Sequence, residues 1–166
     1  VTAATTDGTT RPWAPYALIT GGGTGGHVIP AIAIGRALVA LGHPAQSIKF
    51  VGARRGMEAD LVPAAGFAIT LLPGRGIARR LTLDNLGAVA GLMAAFVRAV
   101  VLLGRNRPKV VVSVGGFAAA PCAFAAWAWR VPLVVAEQNA VPGLVNRLAA
   151  RVAVASAVSF PGTAFC

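Results

Sequence analysis

Acidic residues are the scarcest resource of this sequence. Five Asp and Glu stand against 15 Lys and Arg in 166 residues, for a formal net charge of +10. No metal-ligand cluster is evident, so neither a bound metal nor another cofactor is expected. Cysteine is rare too. Cys122 sits in an apolar stretch and Cys166 is the last residue, with no metal spacing between them. A disulfide framework is therefore not expected, and a reduced cytosolic setting fits. Zinc spacings, aromatic residues interleaved with basic ones, and helices with clustered base-reading side chains are all missing, which argues against nucleic acid. Only 12% of residues are charged and 56% are hydrophobic, so the chain is not of the disordered class. Of the basic residues 13 are Arg, an excess that a GC-rich genome explains in part. The remainder leaves an anionic membrane surface or a phosphorylated substrate as the partner.

Glycine is abundant, and its placement organises the chain. Tyr16–Thr20 reads as a strand running into Gly21-Gly22-Gly23-Thr24-Gly25-Gly26-His27, after which a helix runs from about Val28 to Leu41. A glycine turn between a strand and a helix lets backbone N–H groups approach an anionic ligand at the positive end of the helix dipole. Further strands are expected at Ser47–Val51, Phe67–Leu72, Lys109–Val114, Leu133–Ala136 and Val152–Ala155. Between them fall helices at Met57–Ala65 (interrupted by Pro63), Asp84–Asn106, Ala119–Arg130 and Pro142–Arg151. Apolar strands alternating with helices indicate an α/β fold with a doubly wound, Rossmann-like parallel sheet. In such a sheet ligands bind beyond the C-terminal strand ends, where the glycine loop, Gly52–Gly56, Gly115–Phe117 and Glu137–Asn139 converge. Val1–Pro15 lacks the pattern of a secretory signal and reads as a disordered leader.

Gly21, Gly23 and Gly26 also satisfy G-x-G-x-x-G, which keeps a dinucleotide-binding module open. The ribose-binding acid of that reading is replaced by Arg54 and Arg55, which suit a 2′-phosphate and hence an NADP-type nucleotide. His27, beside the loop, is a candidate general base or hydrogen-bond donor, against the plain alternative of a surface or capping histidine. His43 reads as structural. Leu86–Leu103 is long enough to test as a membrane span, with Arg98 its one charge. The preferred reading is a crossover helix, buried on one side and partly exposed at its N-terminal end. Six basic residues and one acid lie from Arg75 to Arg107, so core and membrane-surface readings both stand.

Several motifs together resemble the MurG family of glycosyltransferases. They are Gly22-Gly-Thr-Gly-Gly-His27 with Pro30, Met57-Glu-Ala-Asp-Leu-Val-Pro63, Val114-Gly-Gly-Phe117, and Glu137-Gln-Asn139 with Gly143, Leu144 and Asn146, in that order. The resemblance covers about Tyr16 to Gly162. It implies the N-terminal, acceptor-side domain of a two-domain GT-B enzyme, spanning 16–162, with a linker from 163 and a donor domain beyond. The implied reaction is inverting transfer of GlcNAc from UDP-GlcNAc to the MurNAc 4-hydroxyl of lipid I, giving lipid II in peptidoglycan synthesis. It implies His27 as catalytic base. It also implies substrate contacts from Gly22, Gly23, Thr24, Gly25, Gly26, Gly115, Gly116, Phe117, Glu137, Gln138, Asn139 and Asn146. A membrane patch of Arg75, Ile77, Arg79, Arg80, Leu83, Leu86 and Trp127 on the cytoplasmic face of the cell membrane is implied as well. Two positions depart from the family pattern: Ala136 where His is common and Phe117 where Tyr is common. A non-catalytic, membrane-docked protein that supplies an acceptor site to another chain is the third alternative.

Overall fold

The computed structural model describes residues 14–73, 84–163 and 165, with only the backbone described for 84–88. Six strands form one parallel sheet: β1 (Ala17–Thr20), β2 (Ile48–Ala53), β3 (Ala68–Leu72), β4 (Val110–Ser113), β5 (Leu133–Glu137) and β6 (Ala155–Val158). Their order is β3-β2-β1-β4-β5-β6, the doubly wound arrangement expected from the sequence. The order reverses between β1 and β4. There the register sets Thr20 beside both Val51 and Ser113, so the loops that follow these strands emerge side by side.

Helices cover both faces. On one face α1 (Gly25–Ala40) and α2 (Glu58–Ala64) pack Val28, Ala31 and Val62 against Ile19, Ile48, Phe50 and Val114. On the other face lie α3 (Asp84–Asn106), α4 (Ala119–Ala128) and α5 (Leu144–Ala150). They pack Ala95, Ala99, Leu103, Cys122, Ala126 and Ala149 against Leu18, Val111, Leu133 and Val135. Small residues at the contact let α3 and α4 approach closely. Trp129 closes the far end of this pair, donating its indole N–H to the Val100 carbonyl at 2.8 Å. His43 stacks on Tyr16 with ring centroids 3.6 Å apart, a structural role as expected.

Three sequence expectations shift. The first helix starts at Gly25 rather than Val28, so its first turn takes in two glycines despite their poor helix propensity. The last strand is Ala155–Val158 and not Val152–Ala155. Its register is set by pairing with β5, Glu137 opposite Val158, and its residues are exposed throughout, so no burial pattern marked it. One face of the long helix is exposed along its whole described length, and not only at its N-terminal end: Val89, Met93, Val97 and Val101 form an outward stripe. The segment Val89–Asn106 is long and apolar enough to span a membrane, at mean hydropathy 1.5. Yet its Ala95, Ala99 and Leu103 are fully buried against the sheet and α4, which makes it a crossover element of the fold.

Candidate active site at the switch point

The loops after β1 and β4 interlock. The Gly22 N–H donates to the Gly115 carbonyl at 3.2 Å. Gly116, at φ 90°, faces the Gly22 backbone so closely that a Cβ there would strike the Gly22 carbonyl oxygen. Glycine at this position is thus required twice, by the left-handed conformation and by the contact.

His27 stands over this junction from the first turn of α1. Thr24 occupies the N-cap position, but its hydroxyl does not cap the helix. It lies 3.1 Å from His27 Nδ1 instead. The opposite edge of the ring, Cδ2 and Nε2, lies 3.0 Å from where a Gly115 Cβ would stand, with Asn146 Nδ2 at 3.3 Å from the same point. The arrangement fixes the two nitrogens differently. When Nδ1 carries the hydrogen and donates it to Thr24 Oγ1, Nε2 presents a lone pair towards the junction.

The loop N–H groups divide into used and available. Gly21 donates to the Val51 carbonyl and Gly22 to Gly115. Gly23 donates to Glu58 Oε2 at 2.8 Å. The first-turn N–H groups of Gly25 and Gly26 have no side-chain cap, which leaves them available to an acceptor from outside the helix. The loop N–H groups available to any anion are therefore fewer than the run Gly22–Gly26 suggests.

Glu58 is the residue that sequence reasoning missed. It is 2% exposed and also accepts the Ala53 N–H at 2.8 Å. A Cβ at Gly22 or Gly56 would collide with its carboxylate and one at Gly52, in β2, with its Cγ, so three glycines form its cradle. The available signal was the run Gly52-Ala-Arg-Arg-Gly56 immediately before a helix carrying an acid. The dinucleotide alternative needs the glycine N–H groups for a pyrophosphate, whereas here a protein carboxylate already takes one of them.

Glu137 at the end of β5 is likewise 2% exposed. Its Oε1 accepts the Asn139 backbone N–H at 2.9 Å and the Asn139 side-chain amide at 2.8 Å. Its Oε2 accepts the Gly143 N–H at 3.2 Å and Asn146 Nδ2 at 3.0 Å. Burial by itself would raise the Glu137 pKa. The hydrogen bonds from Asn139, Asn146 and Gly143 together outweigh it and hold the carboxyl below its ordinary value. Asn146 is 1% exposed, and its Oδ1 accepts the Ser113 hydroxyl at 3.0 Å. Glu137 and Asn146 thus bind each other inside the protein, leaving Asn139 exposed beside them.

Gln138 donates to the Val114 carbonyl at 3.3 Å, and its Oε1 is a buried acceptor without a protein partner. Phe117 follows the glycine pair and is half-buried against α4 and the core. Burial pushes the Cys122 thiol up to about 12, the nearby Thr20 hydroxyl only partly opposing it, so this cysteine is no nucleophile. Arg54 and Arg55 are exposed. Of the expected membrane patch, Trp127 is exposed on α4. Arg75, Ile77, Arg79, Arg80 and Leu83 lie outside the described residues, as does the side chain of Leu86.

The glycosyltransferase family 28 N-terminal domain matches residues 17–158, which takes in all six strands and every loop of this site. The chain belongs to family 28. It is 46% identical over 147 residues to the UDP-N-acetylglucosamine–N-acetylmuramyl-(pentapeptide) pyrophosphoryl-undecaprenol N-acetylglucosamine transferase of Anaeromyxobacter dehalogenans, covering 89% of this chain and 38% of that protein. The transferase of the same description in Salinibacter ruber is 44% identical over 148 residues, covering 89% and 40%. The crystal structure of Acinetobacter baumannii MurG superposes with a TM-score of 0.75 at 28% identity, covering 90% of this chain and 43% of that one. UDP-N-acetylglucosamine 2-epimerase of Methanocaldococcus jannaschii shares the fold, with a TM-score of 0.63 at 14% identity. The family 28 chain described here thus spans about two-fifths of the length of these relatives.

Proposed function

We propose that this chain forms the acceptor-side half of an inverting glycosyltransferase that moves GlcNAc from UDP-GlcNAc to the MurNAc 4-hydroxyl of lipid I. The product is lipid II, a precursor of peptidoglycan. The observation that carries the reading is the His27 imidazole held between Thr24 and the Gly115–Asn146 wall, at the switch point of the sheet. The relatives named above support the choice of substrates.

In this mechanism Nε2 of His27 takes the proton of the acceptor hydroxyl as that oxygen attacks the anomeric carbon of GlcNAc. The bond to UDP breaks in the same displacement, and its electron pair leaves with the diphosphate. One displacement inverts the centre and requires no covalent nucleophile. Gly25 and Gly26 N–H groups, together with the Gly115–Gly116 turn, receive the acceptor pyrophosphate. Asn139, exposed beside Glu137, offers a polar contact to a bound sugar. Glu137 and Asn146 hold the wall against which His27 rests. The donor nucleotide is held mainly by the second domain of the family's fold.

The exposed stripe on α3, with Trp127, supports docking on an anionic membrane as a peripheral protein of the cytoplasmic face. The direct test joins this chain to the second domain of a relative and measures GlcNAc transfer to a lipid I analogue. His27→Ala is expected to lower kcat by about 10²- to 10⁴-fold, the usual contribution of a general base. Undiminished turnover would reject the base assignment.

A further inference from the structure

An apolar groove of about 760 Å³ runs between α3, α4 and α5. Its lining includes Phe96, Phe117, Phe124, Trp127, Leu144 and Leu148, and among the described residues no Ser, Thr, Asn, Gln or charged side chain contributes to it. Phe96, Phe124 and Trp127 form a continuous aromatic wall, with successive ring centroids 5.5 and 5.7 Å apart. Such a volume is that of a ligand pocket. Phe124, Trp127, Leu144 and Leu148 are all substantially exposed, so the other described residues leave this apolar surface uncovered.

Two connections indicate what fills it. Phe117 directly follows the Gly115–Gly116 pair, and Leu144 and Val145 directly precede Asn146, so the groove begins where the polar site ends. At the α3 side, Leu92 and Phe96 line the groove while Met93 and Val97, one position further round the helix, belong to the outward apolar stripe. The groove therefore links a pyrophosphate-binding turn to an apolar outer surface. We infer that it takes the first isoprenoid units of the acceptor's polyprenyl chain, with the pyrophosphate held at the glycine turns. The inference rests on the acceptor reading of those turns. A bilayer surface would meet the convex stripe on α3, whereas a single hydrocarbon chain suits a concave groove between helices.

The test titrates the chain with inorganic pyrophosphate, geranyl diphosphate, farnesyl diphosphate and farnesol, followed by calorimetry. Affinity should rise with prenyl length, and farnesyl diphosphate should bind about tenfold or more tighter than pyrophosphate, as burial of a few methylenes requires. Ala120→Trp, which fills the groove, and Leu148→Asp, which places a charge on its exposed rim, should each abolish that gain and leave pyrophosphate binding intact. Thermal unfolding confirms that both variants fold. An affinity independent of chain length, or a gain that survives in both folded variants, overturns the inference. It is also overturned if both variants lose flotation with phosphatidylglycerol–phosphatidylcholine vesicles in proportion to prenyl binding, since the occupant is then the bilayer. Groove-dependent binding of farnesol with no contribution from the diphosphate would keep the prenyl site and sink the acceptor reading of the turns.

Discussion

Glu58 and Glu137 sit at the same edge of the sheet, and each is 2% exposed, yet they hold their loops by different means. Glu58 is gripped by backbone: two N–H groups bind it and three glycines make room for it. Glu137 is gripped by both kinds of donor, two side-chain amides from Asn139 and Asn146 and two backbone N–H groups from Asn139 and Gly143. The first arrangement ties the loop after β1 to the loop after β2, which are distant in sequence. The second ties one loop to the helix that follows it. A backbone cradle tolerates no change in the glycines, while an amide cradle depends on the identity of its two asparagines.

The sharpest way to break this comparison is to remove the acids themselves. Glu58→Ala leaves the Gly23 and Ala53 N–H groups unpaired around a void, and should cost about 3–5 kcal/mol in denaturant unfolding. Glu137→Gln keeps the shape but loses one acceptor, and should cost about 2–3 kcal/mol. The Glu137 substitution also carries a pH signature. Because the folded carboxyl is held below its ordinary value, its contribution is present above about pH 4.3, the unfolded value, and is lost as pH falls through the folded one. The wild type should therefore lose stability in that acid window more steeply than Glu137→Gln. Equal slopes would show that the hydrogen bonds to Glu137 do not favour its charged form.

A smaller effect is expected from the residue linking the Glu58 loop to the chemistry. Thr24→Val removes the hydroxyl beside His27 Nδ1, while Gly23 and Glu58 keep their bond. Activity of the joined enzyme should fall by about tenfold, one modest hydrogen bond's worth, with stability within about 0.5 kcal/mol of wild type. A loss as large as that of His27→Ala would mean that Thr24 meets the substrate itself. The smallest change in stability belongs to Met93→Glu with Val97→Glu, on the exposed stripe of α3. Unfolding should move by about 0.5 kcal/mol or less, while flotation with anionic vesicles should drop. Unchanged flotation would remove the stripe from the membrane contact.

The sheet and its loops were legible because their signals are local. Apolar runs bounded by glycine and proline mark strands one by one, and the glycine turns stand where strand meets helix. His27 was legible as a lone imidazole next to such a turn. Glu58 was not, because the Gly52–Gly56 run and the motif around it mark the segment but not that this carboxylate folds back under a glycine of another loop. Its partner Gly23 is 35 residues away, and only the pairing of β1 with β2 brings them together. Glu137 and Asn146 were singled out as candidate substrate contacts, and their mutual bond gives them a supporting position that motif spacing does not reveal.

By itself the sequence determined the class of fold, the set of loops that meet at one sheet edge, and the family to which they belong, since each follows from short-range periodicity or motif order. The tertiary structure decided which groups remain for a ligand. Strand order places Gly22 against Gly115 and Glu58 under Gly23, and those contacts use up loop N–H groups that the sequence alone leaves available. The same packing sets the Nε2 edge of His27 against Gly115, buries Gln138 Oε1 without a protein partner and leaves an apolar groove between α3, α4 and α5. Hydrogen-bond saturation and groove shape depend on which elements are neighbours, and neighbourhood is a property of the folded sheet.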